Sequence, residues 1–270
     1  MTRAGERRLV PLPLIAGSVL LLFLSFPLFT LSWRAFENAS ELNDRSQSAI
    51  RDAIVLSLTT SLTSLLIILA LGTPLAYGLA RYEFRGKSVI GTLVELPIVL
   101  PPAVSGIALL LVFGRRGVAG EWLDDLGIRV GFTTTAVILT EVFVASPFYL
   151  RTARVAFSQV DYAVEEAASV LGASPWSVIR RVTLPLAAPG IAAGAVLAWA
   201  RAVGEFGATI MFAGNLPRET QTVPLAIYSR YESGDLNAAI VMAVILLISS
   251  FLVLVSVRHF GGRLRYGVSE

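Results

Sequence analysis

Four ionisable side chains, Glu95, Glu141, Arg201 and Glu205, fall inside stretches of sequence that are otherwise apolar. A charge is costly to place in a bilayer, so each marks a position where function is to be sought. Arg201 and Glu205 stand four residues apart, which puts both on one face of a helix and makes an ion pair the simplest reading. The alternative sets the Arg201 guanidinium against a passing anion, because its fork of donors matches an oxyanion. Glu95 lies near one end of its stretch, where an interfacial position costs less, and Glu141 has no partner that the sequence names. Catalysis finds little else to use. The chain has no cysteine, which removes disulfides, thiol nucleophiles and thiolate metal sites. Its single histidine, His259, sits beside Arg258 near the C-terminus with no second imidazole to share a metal. Gly86-Lys87-Ser88 imitates the end of a phosphate-binding loop, but Arg81 occupies the place of the required first glycine, and an apolar helix precedes it where a strand is needed. The chain is therefore expected to be no enzyme, to bind no ATP itself, and to hold neither cofactor nor metal.

The elements that carry these residues are long and apolar. Of 270 residues, 55% are hydrophobic and 15% charged, with a mean hydropathy of +0.71; soluble domains carry roughly 25% charged residues. Six stretches reach the length of about 20 residues that crosses a bilayer: 11–33, 53–80, 89–114, 133–150, 186–213 and 236–257. The expected fold is all-α, a polytopic membrane protein forming one domain over residues 1–270, with its core at about 53–257. The first stretch follows Arg3, Arg7 and Arg8 as a signal peptide would, yet it is too long for one and no cleavage site follows Trp33, so a retained helix is expected. Lys and Arg number thirteen on the side of the termini and eight in the opposite connections. The positive-inside rule then predicts a multi-pass protein of the cell (inner or plasma) membrane with both termini cytoplasmic, and the net charge of +3 follows from that topology. Pro97, Pro101, Pro102 and Gly106 predict a break in the third span, which only surrounding protein or a water-filled cavity would tolerate. Gly190 and Gly194 in the fifth span have the spacing of a helix-packing motif.

Residues 151–185 form an unusually long cytoplasmic segment with its own folding signals. Asp161 can cap a helix over 162–171, Glu165 and Glu166 suit its positive end, and Gly172 supplies a left-handed stop. Ser174 can cap a second helix with Pro175 at its first position and Arg180 and Arg181 in its last turn, before Pro185 closes the unit. Ala167, Ala168 and Ala173 would let another protein approach this helix–bend–helix finger closely.

Glu166-Ala167-Ala168, Gly172 and Val182-Thr183-Leu184-Pro185 resemble the Glu-Ala-Ala loop of ABC importer permeases, in spacing throughout and with Val182 in place of isoleucine. Two further stretches, 100–110 and 201–228, resemble permease subunits of molybdate importers, with sulfate and tungstate permeases similar but less close. The resemblance implies the type I ABC importer permease architecture and a pore for a tetrahedral dianion. It also implies that Glu165, Glu166, Ala167, Ala168, Gly172, Val182, Leu184 and Pro185 form the loop that docks on a cytoplasmic ATPase. Two such ATPases, which bind the ATP, and an extracytoplasmic binding protein are the implied partners. Six helices enclose half a path, so a homodimer is expected. Pro101, Pro102, Ser105, Gly106, Arg201, Gly204, Glu205 and Gly207 are the candidates for the translocation path, and the segment 222–228 in the external connection 214–234 is the candidate docking surface for the binding protein. Two other classes are weighed against this. A proton-coupled transporter would use Glu141 or Glu205 as carrier and need no finger, and a structural scaffold would tolerate changes in the finger.

Overall fold

A computed structural model describes residues 11–38 and 44–266, with side chains described for 15–37, 47–252 and 255. The Arg3, Arg7 and Arg8 cluster and the His259 and Arg258 side chains lie outside the described residues. The described chain is helical, with turns and no strand. Helix α1 (Pro11–Asn38) packs along the last helix, α12 (Leu236–Tyr266). Its large apolar side chains, such as Phe23 and Phe26, are exposed, as a face toward lipid requires.

Three helices make the core: α2 (Asp44–Arg81), α6 (Thr134–Ser158) and α9 (Leu184–Val203). Ile68 and Ala76 of α2, Tyr149 and Phe157 of α6 and Ala198 of α9 are buried together between them. Lipid offers no hydrophobic drive between spans, so close packing of small residues must hold them. Gly190 lies on Ala156, and a Cβ on Gly194 would sit 3.1 Å from the Thr152 Cβ, which is the packing role their spacing predicts. α6 continues to Ser158, beyond the span expected at 133–150. Ala153, Ala156 and Phe157 carry its buried stripe onward, so residues 151–158 belong to this helix and the finger begins after them.

Two expected spans are not single helices. The third divides into α3 (Lys87–Val99) and α4 (Pro102–Phe113), bent by 117°. Pro101 forces Leu100 into an extended conformation, and Pro102 has no N–H to continue the ladder, so it starts α4 instead. Pro97 and Gly106, which also signalled the break, remain inside α3 and α4. The fifth expected span ends at Val203 and resumes as the short α10 (Gly207–Phe212). Four helical stretches are long and apolar enough to cross a membrane singly: Ile15–Glu37, Gln47–Arg81, Thr134–Ser158 and Pro175–Val203. The bent α3–α4 pair makes a fifth, and the apolar part of α12, Leu236–Leu252, falls below that length among the described side chains.

The remaining helices are short. α5 (Gly120–Asp125) lies in the connection between α4 and α6, and α7 (Tyr162–Val170) and α8 (Pro175–Val178) build the finger. α11 (Val223–Glu232) packs against α2 and α12. The segment 222–228 is therefore not the exposed docking surface expected of the external connection 214–234, since Thr222, Val223, Leu225 and Ala226 are buried. The apolar residues Val223 and Ala226 face Ile50, Ala53 and Met242, and burying them outweighs exposing them.

Candidate functional site

The finger forms as its caps dictate. The Ala163 N–H donates to Asp161 Oδ1 at 2.9 Å and opens α7. Gly172 has a φ of +91°, a conformation that strains any residue with a Cβ. Around it, the Ala173 N–H donates to the Ala168 carbonyl at 3.1 Å, and the Ser177 N–H donates to Ser174 Oγ at 3.4 Å to open α8. The second helix does not stop before Pro185. It passes through a π turn, Ile179–Thr183, in which the Leu184 N–H donates five residues back to the Ile179 carbonyl, and runs on as α9. Pro185 lacks an N–H for the carbonyl one turn earlier, and the wider turn accommodates that gap. Arg180 and Arg181 therefore lie within a continuous helix.

The two glutamates of the finger part company. Glu165 turns inward, where Arg81 Nη2 donates to its Oε1 at 3.1 Å and to the Val160 carbonyl at 2.8 Å, and the Thr183 hydroxyl donates to the same oxygen. The Arg81 guanidinium, 3% exposed, lies 4.2 Å from the centre of the Tyr162 ring, within cation–π range. One arginine at the end of α2 thus fastens the start of the finger to the bundle, and Glu165 carries the link on to Thr183 at its far end. Glu166, Ala167 and Gly172 are exposed, and Ala168, Val182 and Leu184 are half-buried. Pro185 is exposed. Val170, Leu171 and Trp176 stand out at 81%, 88% and 67% exposure, an apolar tip without an intramolecular cover.

The path candidates converge on the contact between α4 and α10. A Cβ on Gly207 would come within 2.7 Å of the Pro102 Cβ, and one on Gly106 within 2.7 Å of the Met211 Cβ. Arg201 Nη2 pairs with Glu205 Oε2 at 2.6 Å, and Glu205 Oε1 accepts the Ala208 N–H at 2.8 Å. Glu205, 2% exposed, thereby caps α10 while Arg201 balances its charge. Gly204 and Pro101 are exposed at the two helix breaks, and Ser105 is buried. The hydroxyls of Ser105 and Thr209, on the two touching helices, have no protein partner.

Sequence reasoning left out a polar stripe on α2. Thr60 and Ser64 donate to the two oxygens of Glu141 at 3.0 and 2.8 Å, giving that buried carboxyl the partners it lacked. Ser61 accepts the Trp199 indole N–H at 3.0 Å, and Ser57 accepts the Val223 N–H at 2.7 Å. The signal was present in the spacing of 57, 60, 61 and 64, one helical face of hydroxyls in an apolar stretch. Arg81 gave no such signal. Among the described residues no three His, Cys, Asp or Glu side chains gather as a metal site would need.

Residues 68–266 match the model of the family described as binding-protein-dependent transport system inner membrane component. The probable transport system permease protein NifC of Clostridium pasteurianum is 40% identical over 94% of this chain and 88% of its own length. The molybdenum transport system permease protein ModB of Haemophilus influenzae is 46% identical over 66% of this chain and 78% of its own. Among solved structures, a bacterial alginate ABC transporter superposes with a TM-score of 0.75 at 20% identity, covering 97% of this chain and 96% of that one, a likeness of fold. Matched by that family over residues 68–266 and by permease relatives at 40% identity or more, the chain belongs to the inner membrane components of binding-protein-dependent transport systems, the permease subunits of ABC importers.

Proposed function

We propose that this chain is the pore subunit of a molybdate importer driven by ATP. The observation that carries the reading is the finger: a pre-formed helix–bend–helix that leaves Glu166, Ala167 and its apolar tip exposed, while Arg81 and Glu165 fix its base to the bundle. Such a surface fits a groove on a cytoplasmic ATPase, which would bind the nucleotide that this chain does not. The relatives named as molybdenum transport permeases support the choice of ion, with sulfate or tungstate as the second reading.

The working unit is a homodimer with the path on its two-fold axis, two ATPase subunits below and a binding protein above, both termini being cytoplasmic. In the cycle, ATP draws the ATPases together, the fingers move with them, and the bundle opens outward to receive the anion from the binding protein. Hydrolysis returns it to the inward-facing state, so each nucleotide state biases a two-state bundle. Pro101 and Pro102 at the start of α4 and Gly204 at the α9–α10 break face the path, and Ser105, Gly106 and Gly207 support it from the packed contact between α4 and α10. Arg201 and Glu205 hold the α9–α10 break in shape, and the partly exposed Arg201 is the one charge there that can meet the ion.

The test is uptake by the complete complex in proteoliposomes with binding protein outside and ATP inside. Molybdate uptake is expected to require ATP, to be competed by tungstate and more weakly by sulfate, and to vanish in Gly172→Leu while the protein still inserts. Normal uptake by Gly172→Leu, or uptake that needs only a proton gradient, would end this reading.

A further inference from the structure

Arg151 and Arg154 have no ion-pair partner among the described residues. Three apart on α6, they share one helical face, and with Lys87 of α3 and Ser158 they line a cavity of about 380 Å³ between α2, α3 and α6. Arg154 reaches over α3 at the buried Gly91, where an added Cβ would meet its Nη1 at 3.5 Å. None of the acids nearby pairs with Arg151 or Arg154. Glu83 pairs with Lys87 at 2.6 Å and Glu165 with Arg81, and Glu95 alone contributes a carboxylate to this cavity without pairing with either arginine. Positive-inside topology accounts for arginines on this side of the membrane. It does not account for two unpaired guanidiniums on one recess that holds a single carboxylate, Glu95, and an ammonium already paired with Glu83, a balance that leaves net positive charge for an anion to meet.

We propose that this recess binds a tetrahedral oxyanion group, gripped by the forks of Arg151 and Arg154. Two sources carry that chemistry: the free dianion on its way out of the pore, and the phosphate of an anionic lipid, for which basic recesses between spans are suited. The site stands on the geometry of the recess, whichever ion is imported, and its placement at the cytoplasmic mouth rests on the orientation proposed above.

The full-length permease is reconstituted in nanodiscs of phosphatidylcholine and titrated with radiolabelled molybdate, and in discs containing phosphatidylglycerol its bound lipid is counted by native mass spectrometry. Arg151→Gln/Arg154→Gln is expected to lose about ten-fold or more of the binding of whichever molecule occupies the recess, as the loss of charge-assisted hydrogen bonds implies. Arg151→Lys/Arg154→Lys should fall in between, and Arg180→Gln/Arg181→Gln, which removes equal charge on the same side, should bind as wild type. Elution as a single species with unchanged helical content shows that each variant folds. Loss of molybdate binding alone identifies the free dianion, and loss of bound lipid alone identifies the phospholipid. The proposal is overturned if wild type binds neither, if the double glutamine variant binds both as wild type does, or if the Arg180/Arg181 control loses as much. ATP-driven uptake by the wild-type complex is measured in parallel: uptake without binding in the recess removes the site and leaves the importer, whereas binding without uptake does the reverse.

Discussion

Arg81 shows what a single side chain decides here. It is nearly inaccessible, it meets a carboxylate, a carbonyl and an aromatic face, and its Nε and Nη1 have no partner. Removing one member of a buried charge pair leaves the other uncompensated, at a cost of about 3–5 kcal/mol. Arg81→Ala and Glu165→Ala are therefore expected each to lower the unfolding temperature of the purified protein, and the double variant to lose less than the two singly lost together. Simple additivity in that double-mutant cycle would show that the pair is not coupled. Glu205 makes a second case, because its carboxylate caps α10 as well as pairing with Arg201. Glu205→Gln keeps one acceptor for the Ala208 N–H and loses the charge, so it should retain more stability than Glu205→Ala in a thermal-shift assay. Equal losses would mean that the cap contributes nothing. The Arg201–Glu205 pair was legible from spacing alone, since four residues on a helix fix the geometry. The partners of Glu141 and Glu165 were not, because they come from α2, separated from them in sequence by more than seventy residues in the hydrogen bonds from Thr60, Ser64 and Arg81.

At the scale of elements, local chemistry announced most of the architecture. Asp161, Gly172, Ser174 and Pro175 act where their types place them, because caps and left-handed stops depend on neighbours a few residues away. Pro101 and Pro102 break the third span as expected. The end of α6 and the interruption after Val203 were hidden. α6 continues because its buried stripe meets α9, a tertiary fact, and the Gly204–Phe206 break follows from a glycine-rich run that could equally have stayed helical. The contact of α6 with α9 leaves little room at Gly194, where an added Cβ would lie 3.2 Å from the Tyr149 carbonyl oxygen. Gly194→Leu should destabilise by about 1–3 kcal/mol or more through overpacking, read as a lower melting temperature in detergent. Tolerance of leucine there would show that α6 and α9 do not pack closely at this point.

At the scale of the whole molecule, the proposed homodimer needs a face for the second copy. Val99 and Leu111 on the bent α3–α4 pair are 82% and 65% exposed, and a second copy across a two-fold axis would cover them. The absence of native cysteine makes this simple to examine, since Val99→Cys supplies the chain's one thiol. Oxidation in membranes is expected to yield a covalent dimer that disappears on reduction. A fully active Val99→Cys complex that never cross-links with a short bifunctional reagent would place α3–α4 away from the axis. The π turn carries a consequence at this scale. Because Pro175–Val203 is unbroken over 29 residues, it forms one rod of about 44 Å, with the second helix of the finger at one end and the α9–α10 break at the other. Pivoting such a rod by about 10° at its finger end swings the other end through roughly 8 Å, the scale of opening that the proposed cycle calls for.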